Sequence, residues 1–158
     1  MCIRDRAVAS ADLAAQRISA DGAAQTLSFL ADQYFTDVYF RYAPTAGTSA
    51  GLHEYDSKLE DLSAASIQKQ IVALHLYEQK VDAIDPGALD ASVADDRAIL
   101  LANLRSNLLS LEVIRLWEKN PDLYSSGITT SAFVLMSRNY ASPNTRLRAL
   151  VELSLIHI

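Results

Sequence analysis

The sequence predicts an all-α fold, and three observations predict it. Apolar residues recur at spacings of three and four over most of the chain, which stacks them on one face of a helix. No run alternates with period two for long enough to make a strand. The periodic runs end at helix-stop chemistry, namely Pro44, Asp85 to Gly87, and Asn120 to Asp122. The expected architecture is a bundle of about five helices. No repeat at a fixed period argues for a solenoid.

The first helix is expected over about 23–42, with Leu27, Leu30, Tyr34, Phe35, Val38 and Tyr42 on one face. Pro44 marks its break, because the residue before a proline is biased out of the helical region. Residues 44–62 are small, polar and rich in turn formers, and read as a loop. The next helix starts at Ser63 as N-cap, with Leu62 and Ile67 at the spacing of a hydrophobic staple. It runs through Ile71, Leu74, Val81 and Ile84. The longest periodic segment, Val93 to Trp117, carries Leu100, Leu104, Leu108 and Leu111, and Pro121 stops it. A shorter helix over about 129–138 carries Phe133, Val134 and Met136. A last helix starts near Asn144 and reaches the end without a glycine stop.

The two ends have their own signature. Back-translated with suitable codons, "MCIRDR" is the reverse complement, in a shifted frame, of the string that encodes "LSLIHI". The pair resembles translated transposon ends used in sequencing libraries. Residues 1–6 and 153–158 are therefore read as adapter-like tails and 7–152 as the helical amino-terminal region of a longer protein. Without the tails, which hold two arginines and one aspartate, the net charge moves from −5 to −6. A mildly acidic body with scattered Lys and Arg lacks the footprint of a nucleic-acid binder, and the one close pair, Arg146 and Arg148, reads as a solvated helix face. The single cysteine, Cys2, lies in a tail, which leaves the body without thiol chemistry. No stretch approaches a membrane span. Ala9-Ser10-Ala11 has the small-residue pattern of a signal-peptidase site, so a periplasmic or secreted location is one expectation, with chance occurrence in an alanine-rich chain the other.

Residue chemistry offers no complete catalytic motif. His53 and Glu54 begin like the H-E-x-x-H zinc signature, but position 57 is Ser57, so the second ligand is missing. His75 and Glu78, three apart on a helix, have the spacing of a metal pair or of an ordinary surface pair. The sequence offers no candidate Ser-His-Asp triad. The densest polar stretch is Pro44 to Ser63, "PTAGTSAGLHEYDSKLEDLS". Its carboxylates serve either as turn and cap residues or as binding groups on a loop between rigid helices.

In that stretch Pro44, Thr45, Gly47, Thr48, Gly51, His53, Tyr55, Asp56, Leu59, Asp61 and Ser63 form a pattern that resembles the amino-terminal signature of the bacterial domain of unknown function family 885. "AIDPGALDASVADDRAILLANLRSNLLSLE" and "SPNTRLRALVE" resemble later helix starts of the same family. The resemblance implies a larger, mostly helical, metallopeptidase-like protein in which a zinc-bound water attacks a peptide carbonyl. The family's His-Glu and Pro-Gly-His-His metal motif has no counterpart here, so the resemblance places zinc in the longer parent and no cofactor in this chain. It also implies that these helices form one wall of a cleft for a peptide substrate, with His53, Tyr55 and Asp56 facing it, and that the main partner is the remainder of the chain. The alternative expectation is a self-contained helical interaction module.

Overall fold

The computed structural model describes residues 21–155, all helical or connecting, with no strand among them. Cys2, the Ala9-Ser10-Ala11 pattern, the first tail and residues 156–158 lie outside the described residues. Among the described residues seven helices follow one another, where about five are expected. Helix α1 covers 21–42 and includes a π-helical turn, Phe35–Tyr39. Then come α2 (Pro44–Ala50), α3 (Ala64–Asp82), α4 (Ala91–Leu108), α5 (Leu116–Lys119), α6 (Asp122–Ser137) and α7 (Pro143–Leu155).

Helices α1, α3 and α4 make the main core. Leu27, Leu30, Tyr34 and Val38 of α1 meet Ile67, Ile71, Leu74, Tyr77 and Val81 of α3, and Leu100, Leu101, Leu104 and Leu108 of α4. These are the periodic stripes of the sequence, and burying them removes apolar surface from water at roughly 25 cal/mol per Å². Tyr34 stays inside because its hydroxyl donates to Asn103 Oδ1 at 2.8 Å. Burial pushes that phenol up to about 12. Arg97 closes the end of α3, with Nε 3.2 Å from the Val81 carbonyl and Nη2 2.9 Å from that of Asp82.

Several boundaries differ from the sequence expectation, each for a local reason. The expected loop over 44–62 starts with a helix, α2. Pro44 at its first turn already has helical φ and needs no partner for a missing N–H, while Ala43 (φ −128°, ψ 63°) breaks α1. The end of α2 is a Schellman motif. Gly51, at φ 89°, donates to the Thr48 carbonyl at 3.1 Å, and Leu52 donates to the Gly47 carbonyl at 2.9 Å. Helix α3 starts as expected, with Ser63 Oγ accepting from the Ser66 N–H at 3.3 Å. It ends at Asp82, before Ile84, and Asp85 then caps the turn Pro86–Ala88.

The single helix expected over Val93 to Trp117 breaks at Arg115 instead of at Pro121. Helix α4 passes into a π-helical stretch, Leu109–Ile114, and Arg115 follows at φ 55°. A non-glycine residue there costs about 1 kcal/mol. The break holds because the freed carbonyls find side-chain donors, Trp117 Nε1 on Leu111 at 3.0 Å and Lys119 Nζ on Ile114 at 2.8 Å. Helix α6 starts at Asp122 rather than near 129, directly after Pro121, and adds two turns that the apolar pattern does not mark. Helix α7 starts at Pro143 with Ser142 Oγ 3.2 Å from the Thr145 N–H, and buries Leu153, a residue assigned to the second tail, to 1 % exposure.

His75 sits on the outside of the core. Its Nε2 lies 2.9 Å from Glu112 Oε1 and its Nδ1 3.6 Å from Glu78 Oε2, and Glu78 in turn takes Arg105 Nε at 2.7 Å. The hydrogen bond to Glu112, aided by the two carboxylate charges, holds the imidazole pKa above its ordinary 6.5. A folded-state pKa above the unfolded one gives stability that is complete below pH 6.5 and lost as pH rises through the folded value. Wild type should therefore exceed His75→Gln in thermal midpoint at pH 6, and the gap should shrink steadily towards pH 9. A gap independent of pH would refute this pairing.

Candidate functional site: a cleft between the 53–57 turn and helix α7

The second, smaller layer is built by α2, the turn His53–Tyr55, α6 and α7. Its buried groups are Thr48, Tyr55, Asp56, Ser131, Val134, Leu135 and Leu153. Close packing here starts with Gly47. A Cβ on this residue would lie 2.6 Å from Tyr55 Cδ2, so only glycine lets the Tyr55 ring lie flat on α2. That ring also meets Phe40 at a centroid distance of 5.9 Å, and Lys58 Nζ lies 4.9 Å from its centroid. Tyr55 thus anchors the turn from inside. It does not line the cleft that His53 and Asp56 share.

With Tyr55 pinned, the neighbouring side chains point to a single place. Asp56, only 6 % exposed, receives two donors on one oxygen, Oδ2. His53 Nδ1 lies 3.1 Å away and the Tyr140 hydroxyl 2.5 Å away, the latter from 84 residues further along the chain. The His53 and Tyr140 rings stack at 3.7 Å and 8°. A neutral imidazole bonded to a carboxylate through Nδ1 carries its proton there and leaves Nε2 as an acceptor. The other oxygen, Asp56 Oδ1, is buried and has no protein partner. His53, Asp56 and Tyr140 line a cleft of about 440 Å³, whose far wall is α7, with Thr145, Arg148 and Glu152.

Two sequence expectations about polar residues change. Asp61 and Ser63 are turn and cap residues, since Asp61 Oδ1 accepts from the Ser63 N–H at 3.0 Å. That hydrogen bond keeps the exposed Asp61 carboxyl below its usual range. Asp56, by contrast, caps nothing and makes the long-range bond to Tyr140. Arg146 is not a solvated partner of Arg148. Its Nη1 donates to the carbonyls of Leu135, Met136 and Arg138 at 3.2, 3.0 and 2.9 Å, closing the end of α6 and fixing the Arg138–Ser142 connection that carries Tyr140. Tyr140, Arg148 and Glu152 line the cleft, and the sequence does not mark them as cleft residues. Only the "SPNT" helix start just after Tyr140 hints that this connection matters.

Burial, then the bond to Asp56 and its charge, push the Tyr140 phenol up to about 12, against a small opposing effect of Arg146. The sign follows. The protonated phenol is favoured by folding, so its contribution is complete below pH 10 and is lost as pH rises through about 12. In Asp56→Asn the phenolate absorbance of Tyr140 should appear at clearly lower pH, and an unchanged titration would remove the carboxylate as a cause.

Among the described residues no three metal-ligating side chains are gathered into one group. His53 spends Nδ1 on Asp56, and His75 bonds Glu112 through Nε2. No helix among the described residues is long and apolar enough to cross a membrane. Comparison with protein-family models, with curated proteins and with solved structures finds no match.

Proposed function

We infer that this chain is the non-catalytic wall of a peptide-binding cleft in a larger metallopeptidase-like hydrolase. One observation carries the reading. Two of the stretches that resemble family 885, the loop holding His53 and Asp56 and the helix start at Pro143, lie on opposite sides of one cleft and are tied together by Tyr140. A stacked imidazole–phenol pair beside charged side chains suits a peptide, with a flat face for apolar groups and polar atoms for the backbone. An apolar strip supports the larger-protein part of the reading. Leu147 and Val151 are exposed one turn apart on α7, and Phe133 and Met136 are exposed on α6. Such a strip is a surface for the remainder of a longer chain to cover.

The test uses the longer parent protein and a peptide it cleaves. His53→Ala should raise KM several-fold with kcat nearly unchanged, as expected for loss of uniform binding. Equal KM values would overturn the reading, and so would a parent without peptidase activity. A self-contained interaction module would use the same apolar strip for a separate partner. Dye binding distinguishes the two, since a strip that awaits its own chain binds the dye in the isolated fragment and not in the parent.

A further inference from the structure

We propose that the groove between α1 and α4 docks a basic amphipathic helix from a separate protein. The inference stands apart from the peptide cleft, because the groove draws its lining from α1 and α4 alone. Its floor is Leu27 and Leu100, both buried, and it encloses about 420 Å³. Small side chains on α1, those of Ala24, Ser28 and Ala31, recur at spacings of four and three and keep the trough open along the helix axis. Phe35 of α1 and Ile99 of α4 edge it, 40 % and 67 % exposed. Large apolar side chains open to water beside such a trough form a surface for a partner to cover.

Length and backbone chemistry point to a helix. From Ala24 to Phe35 the groove follows α1 for about 17 Å at 1.5 Å per residue, roughly three turns of a docked helix. Both walls are helices whose backbone groups are paired within each helix, so an extended peptide would press unmet N–H and C=O groups against them. A helix satisfies its own backbone and lays an apolar stripe on the floor. Charge then selects the sign of the partner. Asp96 lines the groove, and among the described residues no lysine or arginine does. Asp21, three before Ala24, and Asp32, four after Ser28, share the outer edge of the α1 wall, and Asp95 precedes Ile99 by four on α4. All four carboxylates are exposed. The arginines of α4 are committed to α3, Arg97 donating to the Val81 and Asp82 carbonyls and Arg105 to Glu78. Two copies of so acidic a rim repel, so a second copy of this chain fits worse than a helix flanked by Lys or Arg.

Fluorescence anisotropy of the purified chain tests this with a labelled peptide of two Leu-Lys-Lys-Leu-Leu-Lys-Leu repeats and two controls. One control has Glu for Lys, and the other has the same composition in an order that forms no apolar face. The Lys peptide should bind at least about tenfold more tightly than either, with affinity falling as salt rises. Ile99→Asp should weaken it about tenfold although it adds a negative charge, with the circular dichroism unchanged. Asp32→Asn combined with Asp96→Asn should weaken it several-fold and flatten the salt dependence. Equal binding of the reordered peptide, an affinity unchanged in Ile99→Asp, or no binding at millimolar concentration overturns the groove as a docking site. A Glu peptide that binds as well as the Lys peptide overturns the charge assignment. A dimer in sedimentation that Ile99→Asp dissolves puts a second copy in the groove and overturns the separate partner. Binding that is lost in the longer parent overturns it too, since the parent's own chain then fills the groove.

Discussion

Leu104→Ala should lower the unfolding free energy by about 2–5 kcal/mol, the range for removing a fully buried leucine from a core that cannot collapse around the gap. Leu104 is 0 % exposed and sits one turn before the end of α4, where its stripe meets both α1 and α3. The lost methyl groups leave a void among three helices, and none of them can move in without breaking its other contacts. Loss of stability in urea, with the slope of the transition unchanged, is the expected measurement. A change below 0.5 kcal/mol would show that α4 does not pack between α1 and α3 as described.

Gly47→Ala should cost about 1–3 kcal/mol, although alanine is the better helix former by about 1 kcal/mol. The new methyl group would lie 2.6 Å from Cδ2 and 2.9 Å from Cγ of Tyr55, so the ring must move, and it is buried. The consequence reaches the cleft, because Tyr55 holds the turn that carries His53 and Asp56. A displaced turn loosens the Asp56–Tyr140 bond and lowers the Tyr140 pKa from its value of about 12. Stability and the phenol titration should therefore shift together in this variant. A stabilised Gly47→Ala with an unmoved titration would contradict the packing of α2 on the turn.

Much of the main core was legible, since Leu27, Leu74, Leu104 and their neighbours repeat with the helical period. The Ser63 cap was legible too, because its side-chain chemistry is local. What escaped is non-local or strained. Residues 44–50 look like a loop until Pro44 is placed at the first turn of a helix and Gly47 under a ring. Arg115 breaks α4 with no proline or glycine, through donors that arrive from Trp117 and Lys119. Part of the candidate cleft's lining was legible as polar density around His53 and Asp56. Tyr140 was not, because a single tyrosine 84 residues away has no periodicity to betray its partner. Tyr55 misleads for a simple reason, since one residue's difference in a tight turn decides whether a side chain faces the cleft or the core.

The central claim is that the cleft of His53, Asp56 and Tyr140 is where a peptide binds. Chemical-shift mapping of the labelled chain with trialanine amide tests it most directly. The account predicts the largest shifts at His53, Tyr140, Arg148 and Glu152, with small changes elsewhere. Largest shifts at the apolar groove between α1 and α4, where Leu27, Ala31 and Ile99 lie, or no shifts at saturating peptide, would contradict it.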